Sequence, residues 1–340
     1  MSITLEPKQF IVVRGKLGDT VQSFIFSRDI AASYPAINFI FICHKRYFDG
    51  LQLLDRPPNL YLKKFFTFYH LATILLYLAF FSGKASRVTI MWAPGDKVDR
   101  LLGIGRLEPV NHGSSVGKYL SNNKDRTPIY AELIAGVANA RFPSYQPDAF
   151  RGRAHNVGNI IFIAPVADER RRCFPIDLCL SLYEHYVDFF SESKVVFLLS
   201  DRDREVCSIS QLRSRGLPLV FFKNIPDLTI QLKNHAKVLI STDTGPLHLA
   251  IALNIPTISY FGPTQPSKVL PPNKSLHRFF RANGLENQHC ENFECNDPIC
   301  LILAHNPDAA YSDSRRPSSD KCLLVARGIV GKRTKKAPVI

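Results

Sequence analysis

Hydrophobic and polar positions follow one another along this chain in blocks. Phe10–Arg14 (FIVVR) is a short β-branched run, and it gives way to the polar stretch Gly15-Lys16-Leu17-Gly18-Asp19-Thr20. A helical pattern continues to about Ser33, Tyr34-Pro35 breaks it, and Ile37–Cys43 (INFIFIC) reads as the next buried strand. Strand, loop, helix and strand in that order make a βαβ unit. Arg87–Trp92 supplies another strand. The polar, Gly-bearing stretch from Ala93 to Asn123 predicts irregular loops, and Pro128–Val137 predicts a helix. Phe142–Gly158 contains Pro143, Pro147 and Gly152 with little apolar content, and reads as a linker.

Beyond the linker the rhythm sharpens. Ile160–Ile163, Lys194–Leu199, Leu217–Phe222, Val238–Ser241 and Thr257–Phe261 are expected strands. Pro175–Phe190, Leu228–Ala236 and Pro246–Leu253 are expected helices. Uniformly apolar strands alternating with helices imply parallel sheet covered on both faces. The fold class is therefore α/β, and the length of 340 residues suits two domains. The expected division is 1–150, 151–312 and a basic tail, 313–340, of disordered composition.

One apolar stretch fits neither rhythm. Phe65–Ser82 (FFTFYHLATILLYLAFFS) contains His70 and is flanked by Lys63, Lys64, Lys84 and Arg87. It admits three readings: an amphipathic or buried helix of the first domain, a helix that also docks on a membrane, or a span. A span wants about 20 predominantly apolar residues, and flanking cations are what an interfacial helix on anionic lipid carries.

Charge narrows the partners. Lys+Arg 43 against Asp+Glu 29 gives a net charge of +14, which attracts nucleic acid, anionic membrane or phosphorylated small molecules. The sequence has no zinc finger, RNP-type aromatic strand or groove-reading basic helix, so nucleic acid is not expected. The eight cysteines are scattered, as reduced thiols of a cytosolic protein would be. Cys290, Cys295 and Cys300 lack the tight pairs of structural zinc sites, so no metal is expected there. Met1–Lys8 lacks the charged-then-apolar pattern of a secretory leader.

Ligands of open parallel sheets bind at the carboxyl ends of strands, which directs attention to three loops. Ser241-Thr-Asp-Thr-Gly-Pro-Leu-His248 leaves an apolar strand, turns through Gly245 and opens a helix with Pro246 near its first position. The first-turn N–H groups, with Thr244, could receive an anion. Equally, Asp243 or Thr244 could simply cap the helix, and His248 could be a packed helix residue. In Arg14–Thr20 (RGKLGDT), Asp19 is a candidate either for a helix cap or for a general base. Pro165–Pro175 (PVADERRRCFP) offers Arg172 as a cation for phosphate, with Arg170 and Arg171 reading as a solvated patch.

Ser241–Pro266, STDTGPLHLAIALNIPTISYFGPTQP, resembles the signature stretch of the family 9 glycosyltransferases, the ADP-heptose:lipopolysaccharide heptosyltransferases. That pattern is an Asp-Thr/Ser-Gly loop, His-Leu-Ala on the helix, Pro-Thr at a strand start, and Phe/Tyr-Gly-Pro-Thr-x-Pro. The resemblance implies a GT-B fold, two Rossmann-like domains facing a central cleft. It also implies inverting, metal-independent glycosyl transfer, with a nucleotide-sugar donor as substrate and no cofactor. Carried over by residue, Asp243, Thr244, Gly245 and His248 contact the donor diphosphate. Gly262, Pro263 and Thr264 shape the cleft wall. Asp19 is the base, and Arg172 neutralises the departing diphosphate where the family pattern has a basic residue before Trp-Pro. Asp203 or Glu205 contacts the nucleoside. Val166 stands where the family usually has Gly, and Phe174 where it has Trp. The family implies a lipid-linked lipopolysaccharide core acceptor and a cytoplasmic enzyme, peripheral on the inner membrane. Two other readings are a sugar-nucleotide epimerase or hydrolase on the same fold, and a non-catalytic binding protein.

Overall fold

The computed structural model describes residues 8–67, 69–71, 73–74, 87–92, 107–111, 150, 158–204, 207–262, 266, 269–270, 276–281 and 301. The chain forms two compact units, one of Met1–Ala154 with Pro271–Asn273, the other of His155–Leu270 with Lys274–Ile340.

In the first unit β1 (Lys8–Arg14), β2 (Asn38–His44), β3 (Leu60–Phe65), β4 (Arg87–Trp92) and β5 (Leu107–Asn111) form one sheet in the order β3-β2-β1-β4-β5. Every pairing is parallel, and Val12 of the central strand lies opposite both Ile42 and Ile90. Helix α1 (Leu17–Ser33) crosses from β1 to β2 and is buried along most of its length. Its serines would be a cost inside an apolar layer. Ser23, Ser27 and Ser33 resolve it by donating to the carbonyls of Asp19, Ser23 and Asp29, at 2.7, 2.7 and 2.9 Å. Buried Asn59 clips the far end of α1, donating its amide to the carbonyls of Ala31, Tyr34 and Ile37 at 2.8 to 3.0 Å.

Three elements here correct the sequence reading. Helix α2 (Lys45–Gln52) and strand β3 were not expected, and β5 lies inside the stretch read as irregular loops. Phe65 is the buried last residue of β3 rather than the first of a helix. Among the described residues no helix is long and apolar enough to cross a membrane. The expected helix Pro128–Val137, most of the linker and the basic tail lie outside the described residues.

In the second unit β6 (Ile160–Ala164), β7 (Lys194–Ser200), β8 (Leu219–Phe222), β9 (Ala236–Ser241), β10 (Thr257–Phe261) and β11 (His277–Arg281) form a sheet in the order β11-β10-β9-β6-β7-β8, again all parallel. Helices α3 (Ile176–Phe189), α4 (Cys207–Ser214), α5 (Ile225–His235) and α6 (Gly245–Ala252) connect the strands. Helix α5 starts earlier than its apolar pattern suggests. The side chain of Asn224 accepts from the Asp227 N–H at 2.9 Å and builds a first turn from polar residues.

One face of this sheet packs Ile161, Ile163, Phe197, Leu199, Ile240 and Tyr260 against Leu178, Leu182 and Tyr186 of α3. The Tyr186 and Tyr260 hydroxyls satisfy one another at 3.0 Å, and burial pushes the Tyr186 phenol up to about 12. At the β11 edge, buried His277 pairs through Nδ1 with the Thr257 hydroxyl at 3.0 Å. Burial pushes His277 down to about 4, so it is neutral at pH 7. In each sheet the strand order reverses beside the unit's first strand, between β1 and β4 and between β6 and β9. Carboxyl ends at such reversals are where open α/β sheets hold ligands.

Candidate active site

The loop after β6 is pinned at both ends and presents its middle. The Phe174 N–H donates to the Pro165 carbonyl at 2.8 Å, and buried Phe174 meets Tyr260 edge-on, with centroids 5.7 Å apart. Val166 packs against the same core. The Cys173 sulfur lies 3.3 Å from both the amide nitrogen and the carbonyl oxygen of Ala167, and burial raises its pKa, keeping it a thiol. Between these pins, Arg170–Arg172 form a single 3-10 turn.

Arg172 joins this loop to the loop after β9. Its Nη1 donates to the Asp243 backbone carbonyl at 3.0 Å and to the Asp243 carboxylate at 3.1 Å. Its Nη2 donates to Glu169 at 3.0 Å. The Thr242 hydroxyl donates to the Arg172 carbonyl at 2.7 Å, so the two loops are bonded in both directions. The second Asp243 oxygen lies 3.3 Å from His248 Nε2. Asp243 thus bridges an arginine and a histidine while its side chain is only 12% exposed. Arg172 Nε and His248 Nδ1 are buried without a protein partner.

Thr244 occupies the N-cap of α6, followed by Gly245 and Pro246. Its hydroxyl is 2.9 Å from that of Ser241 and makes no cap bond to the helix. The sequence leaves open whether Asp243 or Thr244 caps α6; Thr244 takes the N-cap position without a side-chain cap bond. First-turn N–H groups without a side-chain cap attract an anion. Asp243, Thr244, Gly245, His248 and Arg172 are therefore brought together at the reversal point of the second sheet.

Other expected residues sit elsewhere. Asp203 ends a 3-10 turn after β7, where its carboxylate accepts from the Ser200 N–H at 2.8 Å. Burial, with Asp168 nearby, raises its pKa. Gly262 follows β10 and is buried. Glu205, Pro263 and Thr264 lie outside the described residues, as do Cys290, Cys295 and Cys300. Among the described residues no group of three or more His, Cys, Asp or Glu is placed to hold a metal.

Asp19 belongs to the first unit, at the carboxyl end of β1. It is exposed, and one carboxylate oxygen accepts from the Lys16 N–H at 3.0 Å. A Cβ on Gly15 would stand 2.8 Å from the Asp19 Cβ and 2.9 Å from its Oδ2. Glycine at 15 therefore lets the chain pass beside this carboxylate.

Sequence reasoning missed Glu169 and Thr242, and placed Arg171 wrongly. Arg171 is buried and held by Glu169 at 2.8 Å rather than solvated. The signal for Glu169 was its spacing of three from Arg172, which suits a pair on one turn.

The sequence model of glycosyltransferase family 9 (heptosyltransferase) matches residues 145–299. No curated protein sequence matches the chain. Among solved structures the chain is similar to Escherichia coli heptosyltransferase WaaC with ADP, at 15% identity over 83% of this chain and 96% of that one, TM-score 0.58. It is similar to E. coli ADP-heptose lps heptosyltransferase II at 15% identity over 87% and 97%, TM-score 0.56. A family 9 glycosyl transferase from Veillonella parvula DSM 2008 gives 13% identity over 81% and 86%, TM-score 0.55. These likenesses show the fold, which is GT-B, with two units of parallel α/β sheet.

Proposed function

We propose that this chain, whose residues 145–299 match the sequence model of glycosyltransferase family 9 (heptosyltransferase), moves a heptose from a nucleoside-diphosphate sugar such as ADP-heptose onto a lipopolysaccharide core acceptor. The single observation that carries the donor half is the cross-bonded Arg172–Asp243–His248 cluster beside the first turn of α6. A guanidinium and uncapped N–H groups converge there, as a diphosphate leaving group needs.

The reaction is a single displacement. The acceptor hydroxyl oxygen attacks the anomeric carbon, the bond from that carbon to the diphosphate oxygen breaks, and the hydroxyl proton passes to Asp19. One displacement inverts the anomeric configuration and uses one carboxylate. Charge on the departing diphosphate is offset by Arg172 and the α6 N–H groups, so the step runs without a metal ion. Asp203 serves the ribose side of the donor, and Gly262 with its neighbours Pro263 and Thr264 walls the sugar.

The acceptor is lipid-linked, and the enzyme works peripherally at the cytoplasmic face of the inner membrane. Support comes from one surface of the first unit. Lys45 and Lys64 stand 5.4 and 5.6 Å from the centroid of exposed Phe66, and Tyr69, three residues further along the chain, is 83% exposed. Cations around exposed aromatics suit an anionic lipid surface.

The test is ADP release from ADP-heptose, with and without a heptose-deficient lipid A–Kdo acceptor. Release that requires the acceptor is expected. Equal release without acceptor would make the protein a hydrolase, and no release with either would remove ADP-heptose as donor.

A further inference from the structure

The guanidiniums assigned to the diphosphate are already engaged by carboxylates. Glu169 accepts from Arg172 Nη2 through one oxygen, at 3.0 Å, and from Arg171 Nε and Nη2 through the other, at 2.9 and 2.8 Å. Asp243 takes Arg172 Nη1. Two guanidiniums thus meet two carboxylates. A nucleoside diphosphate adds at least two negative charges to the same donors, and one carboxylate must give way.

The two carboxylates differ in their freedom to do so. Asp243 is held by Arg172 and His248, and its own backbone carbonyl is tied to Arg172 as well. The Glu169 side chain is 40% exposed and is held only by the two arginines it bridges. Its backbone carbonyl stays fixed by the Arg172 N–H at 2.9 Å, so rotation of the side chain into water need not disturb the turn.

We propose that Glu169 competes with the donor diphosphate for Arg171 and Arg172, and so sets donor affinity. This rests on the reading of the loop as the diphosphate site. A bidentate guanidinium engages a carboxylate and a phosphate with the same geometry, which is why one can replace the other. A carboxylate that merely braced Arg172 would act in the opposite direction, since its loss would weaken donor binding.

The experiment is calorimetric titration of the full chain with ADP and, separately, with inorganic pyrophosphate, in EDTA at low and high salt. Removing one charge a few ångströms from the phosphate is worth about a tenfold change in affinity. Glu169→Gln should therefore bind both probes about tenfold more tightly than the parent, with the gain shrinking at high salt. Glu169→Asp retains the charge and should stay close to the parent. Unchanged or weaker binding in Glu169→Gln overturns the proposal, as does an Asp variant that matches the Gln variant. Arg172→Met separates the underlying reading. Full ADP affinity in that variant sinks the diphosphate site itself, whereas lost affinity there with no gain in Glu169→Gln sinks the competitor role alone.

Discussion

In the second unit, the loops after β6 and β9 are bonded to each other through Arg172, Thr242 and Asp243, and the side chains that matter are mostly buried. In the first unit, the first turn of α1, just after β1, offers one exposed carboxylate held by a single bond from the helix's own N-cap. Under the proposed reaction, the contrast follows from what each would have to do. Binding a diphosphate gains from charges fixed before the ligand arrives, because no reorganisation is then needed. Taking a proton needs an oxygen with an open lone pair, and cross-links would occupy it. The family match covers residues 145–299, the rigid side of this contrast.

The largest expected effect breaks one side only. Asp19→Asn should lower turnover roughly 10²–10⁴-fold, the usual worth of a general base, while ADP affinity stays within about twofold. Calorimetry beside a transfer assay checks both halves, and equal loss of binding and turnover would dissolve the division of labour. Arg172→Met should weaken ADP on the order of 10²-fold. Arg172→Lys should lose less, because it keeps the charge and forfeits the fork that reaches Asp243 and Glu169 together.

A third effect concerns pH and lies in the scaffold of the second unit. His277 is pushed down to about 4 by burial, against an ordinary 6.5. The unfolded chain therefore binds a proton that the folded chain refuses between those values. Stability from this site is full above pH 6.5 and is lost as pH falls towards 4, by up to about 3 kcal/mol. His277→Asn should flatten that part of the stability–pH curve, measured by denaturant melts. An unchanged slope would assign the acid sensitivity to other groups.

The smallest effect concerns Val166. The family pattern has glycine there, yet this valine packs against the core that also holds Phe174 and Tyr260. Val166→Gly should cost about 1–2 kcal/mol of stability. A rise in melting temperature would show that the side chain strains the loop instead of pinning it.

Much of the second sheet was legible because strands buried on both faces read as unbroken apolar runs. The strands that escaped sit at sheet edges and look polar. β3 reads LYLKKF, β11 reads HRFFR, and β5 carries Pro109, which only an edge strand tolerates. Helices α2 and α4 are short and polar, with little periodic signal. In the site, the Asp243 loop, His248 and Arg172 are picked out by the family resemblance, and the structure brings them together. Glu169 and Arg171 were not. A run of mixed charge has the composition of a solvated surface, and only the fold of the β6 loop onto the β9 loop buries one member and sets the other between two arginines.

The central claim is that a sugar leaves its diphosphate for an acceptor hydroxyl with this chain's own cation and N–H groups absorbing the charge. Mass spectrometry of a heptose-deficient lipid A–Kdo acceptor, incubated with ADP-heptose and the full chain in EDTA, tests it directly. The account predicts a gain of one heptosyl unit, undiminished by the chelator. An acceptor of unchanged mass, under conditions where a known heptosyltransferase modifies it, would contradict the account.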